Sequence, residues 1–311
     1  MRHRIFNLLR IAVTVLLLSW ILFRAGASEV LNTLRQVDLW FLILSMLAFQ
    51  LGVIIRGIRW WILRRGSGVE AQLGQTLGLT YSGEFFSGAL PTGYAGDVLR
   101  VVESDDENSK AISAGVVLLD RMLGLSGMML VALIALMIGY KLLPQKTFLV
   151  LLAIALLGLI LIFLILHGRL VRWFCGYLPS RIPPTGEGWL GDLYQTLTGC
   201  TPSSIRIAIA LSVFNTSLTA LNHFLVALAV GIGLSLGLFF IFAPIVNLSL
   251  LFPTIGGLGL REAGYQALLE PMGVPAGIAV ALGIGVFVSR LSGALVGGIY
   301  YLIWSLRRKG K

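Results

Sequence analysis

Long apolar runs separated by short polar stretches are the main feature of this chain. Six runs are long enough to cross a bilayer core, which needs about 20 apolar residues per helix. The pattern therefore predicts an all-α polytopic membrane protein with about six full transmembrane helices. The predicted spans are residues 5–24, 39–63, 111–140, 147–167, 205–231 and 275–305.

Two further apolar stretches, residues 73–102 and 236–269, are broken in the middle. The breaks carry the sequences PTG at 91–93 and PTIGG at 253–257. Because proline and clustered glycine end helices, we predict that each stretch forms a re-entrant pair of half-helices.

The order span, span, broken pair, span occurs twice, in residues 5–140 and again in residues 147–306. Each half has three full crossings, so the second half enters the membrane from the opposite side. This order predicts one transmembrane domain over residues 1–311, built as an inverted repeat. Inverted repeats with broken helices are typical of secondary transporters, whose substrate binds near the midplane.

Short motifs at the breaks support the duplication. Residues 90–100 read LPTGYAGDVLR and residues 252–261 read FPTIGGLGLR. Each motif is followed in the next span by a further arginine, in LDRMLG at 119–124 and in VSRLSG at 288–293. Two matching pairs in corresponding elements favour a common origin over chance.

Composition excludes a soluble protein. The 311 residues are 57% hydrophobic and only 12% charged, about half the charge of a soluble domain. The net charge of +10 does not indicate nucleic acid binding, because the basic residues lie at the ends of apolar runs. Their distribution predicts that both termini lie on the cytoplasmic side of the membrane, with residues 5–24 as an uncleaved first span. Cys175 and Cys200 have the spacing of neither a disulfide framework nor a zinc site.

Ionisable residues at membrane depth are the candidate site, because such residues are rare and face the bundle interior or a cavity. Arg56 and Arg59 are interpreted as structural residues that extend to the cytoplasmic interface. The candidate substrate-binding residues are Arg100, Arg261, Arg121, Arg290, Asp97, Glu262, Gly93, Gly256 and Gly257. The candidate proton or ion-pair residues are Glu84, Asp120 and His223, of which His223 is also interpreted as a hydrogen-bonded bundle residue beside Asn222.

The chemistry points to an anionic group. The second half-helix of each broken pair begins at the break, so its unpaired N–H groups and positive dipole end face the membrane interior. Arg100 and Arg261 lie in the first turns of these half-helices, and arginine binds phosphate in bidentate fashion. Four arginines against four carboxylates predict modest affinity and fast exchange. The alternative is that the same ion pairs only lock the two repeats together.

Other polar segments have simpler interpretations. Residues 168–204 are predicted either as a helix in the headgroup layer or as a linker between the halves. The acidic loop at 105–107 is interpreted as a solvated loop, and the glycines at 256–259 do not complete a nucleotide-binding motif. We predict no catalytic residue, no metal and no cofactor.

Taken with the motifs above, the element GGLGLRE at 256–262 resembles the lysylphosphatidylglycerol synthase transmembrane family, also called the flippase-like domain family. The resemblance covers essentially the whole chain. It implies a polytopic inner-membrane protein of the type that moves aminoacylated phospholipid from the inner to the outer leaflet in the multiple peptide resistance proteins, without their soluble aminoacyltransferase domain.

These observations predict a lipid flippase or scramblase whose partner is a membrane phospholipid or a lipid-linked substrate, and not nucleic acid. The alternatives are an integral-membrane enzyme acting on lipid-linked substrates, or a non-transporting partner of such an enzyme. A separate lipid-modifying enzyme is a candidate partner, and no oligomeric state is predicted.

Overall fold

A computed structural model describes residues 15–16, 18–89, 95–103, 110–166, 196–197, 199–252, 254 and 256–309. These residues are helical apart from short connections, and no strand occurs among them. Residues 18–25 form a helical segment before the first labelled helix. The labelled helices are α1 (Ala27–Arg35), α2 (Leu39–Gly66), α3 (Leu73–Ala89), α4 (Ala95–Val102), α5 (Lys110–Ile138), α6 (Gln145–Leu166), α7 (Pro202–Ala229), α8 (Leu236–Asn247), α9 (Leu260–Leu269) and α10 (Ala276–Lys309).

Four helices, α2, α5, α7 and α10, are long and apolar enough to cross a membrane. Local sequence sets where they begin. Asp38 accepts a hydrogen bond from the backbone N–H of Trp40 (2.8 Å) at the start of α2, and Pro202 occupies the first turn of α7, where no N–H is needed. The four corresponding predicted spans are confirmed within a few residues.

The remaining two predicted spans stay predictions. Helix α6 coincides with residues 147–167, but it is not among the four helices that qualify as full spans. The span at 5–24 falls largely outside the described residues, as does most of the polar stretch at 168–204. The short helix α1, which follows the first predicted span, was not predicted.

The second broken stretch is interrupted where proline and glycine predict it, whereas the first break lies outside the described residues. Helix α3 ends at Ala89 and α4 begins at Ala95; residues 90–94 lie outside the described part. In the second stretch, α8 continues into a short 3-10 turn, Leu248–Leu251, and α9 begins at Leu260. Between them Gly256, Gly257 and Gly259 have positive φ, a conformation that side-chain-bearing residues rarely adopt.

Large apolar side chains cover the outside of the bundle, whereas several charged ones are buried inside it. Ile138 and Leu295 are 81% and 69% exposed, but Asp120, Arg261 and Glu262 are at most 2% exposed. Helices α2 and α7 pack closely at the centre, and α3 packs against α10. A Cβ added to Gly297 on α10 would lie 1.9 Å from the carbonyl oxygen of Tyr81 on α3, so these two helices need a glycine there.

Candidate functional site

Two adjoining cavities lie inside the bundle, and both are lined by Arg56, Leu250 and Arg290. The first, which we name the arginine chamber, has a volume of about 80 Å³. Its charged and polar lining comprises Arg56, Arg59, Glu84, Ser87, Arg100, Asp120, Arg121, Thr254 and Arg290. The second, which we name the amide chamber, has a volume of about 70 Å³. Its polar lining comprises Arg56, Asn215, Thr219, Asn222, His223, Asn247, Arg261 and Arg290.

A chain of alternating charges forms one wall of the arginine chamber. Arg59 donates from Nε to Oδ1 of Asp120 at 2.7 Å, and Arg121 donates two hydrogen bonds to Asp97 at 2.8 and 3.0 Å. Arg100 lies between these pairs, 3.8 Å from Oδ1 of Asp97 and 3.8 Å from Oδ2 of Asp120. Arg59 and Arg121 are therefore held tightly, whereas Arg100 is held loosely.

A second ion-pair group links the two halves of the chain. The Glu84 carboxylate on α3 lies 3.2 Å from Nη2 of Arg56 and 3.5 Å from Nε of Arg290. Because Arg56 is on α2 and Arg290 on α10, the carboxylate sits where three helices meet. Its Oε2 atom has no hydrogen-bond partner in the described part of the chain.

Four residues that line the arginine chamber each carry a buried donor group with no hydrogen-bond partner among the described residues. The donor groups are Nε of Arg56, Nε of Arg100, Nη1 of Arg290 and Oγ1 of Thr254. An unsatisfied buried donor costs about 1–3 kcal/mol, and more when it is charged. Four of them on one cavity indicate a place where a ligand with several acceptor atoms would be stabilised.

Arg261 takes a different position from Arg100. It lines the amide chamber, and its Nη2 lies 3.3 Å from Oε1 of Glu262. Glu262 in turn accepts the backbone N–H of Gly259 at 2.6 Å, which caps the start of α9. The structure thus places Arg100 and Arg261 in adjoining chambers. That the two arginines bind one phosphate together stays a prediction.

The glycines of the second break form part of the arginine chamber wall. Gly256 and Gly257 line the chamber with φ of 57° and 80°. A Cβ at Gly257 would approach Oγ of Ser249 to 2.9 Å. Gly93, the candidate residue at the first break, lies outside the described residues, and so does the acidic loop at 105–107.

The interpretation of Arg56 and Arg59 as interfacial residues is wrong. Helix α2 continues to Gly66, which places Arg56 about 15 Å from the helix end at 1.5 Å per residue. Its side chain cannot span that distance. Arg59 is 5% exposed and also donates to Oγ of Ser212 at 2.9 Å, so both arginines face the interior.

This correction changes the charge balance. The arginines that line the two chambers are Arg56, Arg59, Arg100, Arg121, Arg261 and Arg290. Their ion-pair partners are Glu84, Asp97, Asp120 and Glu262. Among the described residues, six guanidinium groups therefore share four carboxylates, in place of the even balance that the sequence predicts.

His223 and Asn222 are hydrogen-bonded bundle residues, as one interpretation predicts. Nδ1 of His223 is hydrogen-bonded to the hydroxyl of Tyr265. The amide of Asn222 donates to the carbonyl oxygen of Ser45 and to Oγ of Ser289, both at 2.7 Å. Proton transfer by His223 stays a prediction.

Sequence reasoning missed five polar residues of the two chambers, including Ser87 and Thr219. Thr254, Asn215 and Asn247 line them but are uncharged, so the search for intramembrane charge passes over them. The repetition of Pro-Thr in both breaks was a signal for Thr254. No sequence signal distinguishes Asn215 or Asn247 from other polar residues in an apolar helix.

Comparison with known proteins identifies the family. Residues 7–297 match the family model described as lysylphosphatidylglycerol synthase TM region, and no curated protein matches the chain. The match covers most of the chain, including both breaks and every arginine of the two chambers. With its four apolar helices of membrane-spanning length, this integral membrane protein belongs to the lysylphosphatidylglycerol synthase TM region family.

Proposed function

We propose that this protein is a flippase or scramblase that moves a phosphate-bearing lipid headgroup between the leaflets of the membrane. The observation that carries the proposal is the set of four unpaired buried donors on the arginine chamber, on Arg56, Arg100, Arg290 and Thr254. A phosphate offers several acceptor oxygens and negative charge. It would satisfy these donors without displacing a hydrogen bond that the structure already contains.

The ion-pair distances divide the arginines by role. Arg59 and Arg121 make short hydrogen bonds to Asp120 and Asp97 and would hold the chamber wall in place. Arg100 makes only 3.8 Å ion pairs, so it can bind an incoming anion without losing a strong contact. Arg290, 3.5 Å from Glu84, is similarly available.

Charge supports the same ligand. Six arginines share four carboxylates around the two chambers, and excess charge inside a membrane protein is costly unless it is compensated. One phosphate would remove part or all of this excess. The partial compensation that is already present favours release as well as binding, which a carrier needs.

We further infer the inverted repeat of residues 5–140 and 147–306 from the helix contacts. Helix α3 packs against α10, and its counterpart α8 packs against α5. Likewise α2 contacts α10 and α7 contacts α5, while α4 contacts α5 and α9 contacts α10. These matched contacts support two equivalent halves whose re-entrant pairs open to opposite faces. Such an arrangement allows alternating access to a central site. The basic residues at the ends of the apolar runs support cytoplasmic termini, and the family resemblance supports the inner membrane.

Reconstitution tests the proposal. Purified protein in phosphatidylcholine vesicles should accelerate leaflet exchange of an acyl-chain-labelled anionic phospholipid. Arg100→Ala should slow the exchange about 10- to 100-fold, because a hydrogen bond to a charged group contributes about 1.5–3 kcal/mol. Arg100→Lys should keep part of the rate.

The matched control is Arg307→Ala, which removes an exposed arginine near the end of α10 and should exchange lipid at the wild-type rate. The proposal is wrong if the wild-type protein accelerates exchange of no phospholipid class. It is also wrong if Arg100→Ala and Arg307→Ala behave alike.

A further inference from the structure

The amide chamber adjoins the arginine chamber and has different chemistry. Arg56, Leu250 and Arg290 line both, so a ligand held by its phosphate in the first chamber can extend directly into the second. The uncharged polar groups of the amide chamber come mainly from α7, with Asn247 from α8.

Two of these amides are free to bind a ligand. The side chains of Asn215 and Asn247 line the amide chamber and make no hydrogen bond within the part of the chain that the structure describes. Asn222, by contrast, donates its two amide hydrogens to the carbonyl oxygen of Ser45 and to Oγ of Ser289. Thr219 donates its hydroxyl hydrogen to the carbonyl oxygen of Asn215 at 2.9 Å and keeps its lone pairs as acceptors. Free amides and a hydroxyl acceptor are suited to bind hydroxyl groups.

The amide chamber is unfavourable for a cation. Its charged lining residues in the described part are three arginines, Arg56, Arg261 and Arg290. The nearby carboxylates are already paired with cations, since Glu262 contacts Arg261 and the N–H of Gly259 and Glu84 lies within 3.5 Å of the other two arginines. Oε2 of Glu84 has no hydrogen-bond partner in the described part of the chain, but the two guanidinium groups beside it disfavour a further cation. The ring of Phe49 also lines the chamber, but the guanidinium of Arg56 already lies 5.5 Å from its centroid.

The available space limits the size of the ligand. The amide chamber has a volume of about 70 Å³, several times the roughly 10–15 Å³ that one water molecule needs. A glycerol unit matches this small volume better than an aminoacyl ester of glycerol, which is about twice as large.

We propose that the amide chamber, through Asn215, Asn247 and Thr219, selects a small neutral polyol esterified to the phosphate, and rejects a headgroup that carries an ammonium group. This inference rests on the proposed function, because the arginine chamber must hold the phosphate for the polyol to reach the amides. The substrate class is thus a polyol phosphate of glycerol size.

Calorimetric titration of the purified protein in detergent tests the selectivity. Three probes are compared: inorganic phosphate, glycerol 3-phosphate and phosphoethanolamine. The wild-type protein should bind glycerol 3-phosphate about fivefold more tightly than phosphate for each amide hydrogen bond gained, and phosphoethanolamine more weakly than either. Asn215→Leu and Asn247→Leu should each lose about fivefold for glycerol 3-phosphate, while their binding of phosphate reports that the fold is intact.

The titration separates the two proposals. Binding of phosphate without preference for glycerol 3-phosphate overturns the polyol inference and leaves the proposed function standing. Binding of phosphoethanolamine that is as tight as that of glycerol 3-phosphate, or tighter, also overturns the polyol inference and leaves the proposed function standing. If none of the three probes binds, or if Arg100→Ala binds phosphate as wild type does, the phosphate site itself is refuted and the polyol inference fails with it.

Vesicle measurements then distinguish a lipid headgroup from a soluble polyol phosphate. Phosphatidylglycerol with a labelled acyl chain should exchange between leaflets faster than lysylated phosphatidylglycerol with the same acyl chains. Asn215→Leu should reduce the difference between the two exchange rates. Faster exchange of the lysylated lipid contradicts the inference. Uptake of radiolabelled glycerol 3-phosphate without any lipid exchange would support the polyol site but refute the proposed lipid function.

Discussion

The two halves of the chain make the same inter-helix contact with different chemistry. In the first half, Arg59 on α2 pairs with Asp120 on α5 and also reaches Ser212 of the second half. In the second half, Asn222 on α7 pairs with Ser289 on α10 and also reaches Ser45 of the first half. Asp120 and Ser289 both immediately precede the arginine of their motif, Arg121 or Arg290.

This difference accounts for the two chambers. The charged version of the contact contributes to a chamber with several guanidinium groups, and the neutral version leaves the adjoining chamber lined by amides. Related architecture in two halves therefore lines one chamber with several ion pairs and the adjoining one with amides beside three arginines. Substitutions that exchange or weaken the two contacts test the comparison.

The largest effect is expected for Asp120→Leu. This change leaves the buried guanidinium of Arg59 without its carboxylate and removes one of the two partners of Arg100. Breaking a buried ion pair costs about 3–5 kcal/mol, so the free energy of unfolding in mild detergent should fall by that amount. The matching change Ser289→Ala should cost only about 1 kcal/mol. Equal losses would show that the two contacts are energetically alike.

A smaller effect is expected where α3 meets α10. Gly297→Ala puts a methyl group against the carbonyl oxygen of Tyr81, and such overpacking typically costs about 1–3 kcal/mol. The control is Gly237→Ala in α8, where the nearest atom to the added Cβ is 3.9 Å away. That variant should be neutral or slightly more stable, because alanine favours helices. Thermal unfolding of both variants measures the difference, and a neutral Gly297→Ala would contradict the close approach.

The neutral contact between Asn222 and Ser289 can be weakened without changing the contact between Arg59 and Asp120. Asn222→Leu has nearly the same shape but removes two hydrogen bonds, and it leaves the carbonyl oxygen of Ser45 without this donor. We expect a loss of about 1–2 kcal/mol in the free energy of unfolding. A double-mutant cycle with Ser289→Ala isolates their coupling, which is absent if the two side chains do not interact.

The smallest effect concerns a residue that precedes α7, away from both chambers. Cys200 is 3% exposed, and burial raises the pKa of its thiol. Less thiolate forms at pH 8 than in a free cysteine, so maleimide should label Cys200 in a Cys175→Ser background at least about tenfold more slowly than it labels an exposed thiol. Labelling at the rate of glutathione would show that this end of α7 opens readily.

Much of the helical framework was predictable from local sequence. The span at 39–63 corresponds to α2 and the span at 205–231 to α7 because apolar length alone specifies a membrane-spanning helix. The second break was predictable because Pro253 and Gly256 disfavour a continuous helix. Helix α1 was not predicted, since it is short and has few apolar residues.

The partners of the charged residues were not predictable from sequence order. Arg59 and Asp120 are 61 positions apart, and Asn222 and Ser289 are 67 apart. Nothing local indicates which carboxylate neutralises which arginine. The error at Arg56 had the same origin, because its environment depends on neighbouring helices and not on its distance along the chain from a polar segment.

By itself, the sequence determined that this protein resides in a membrane, where most of its helices begin and end, and that charge is concentrated near two breaks. Those properties follow from apolar length and from the backbone preferences of proline and glycine, which act over a few residues. Only the tertiary structure decided that six arginines share four carboxylates and that unpaired donors meet at one chamber beside free amides. Cavities and ion pairs form between helices, so their composition depends on packing between distant segments of the chain.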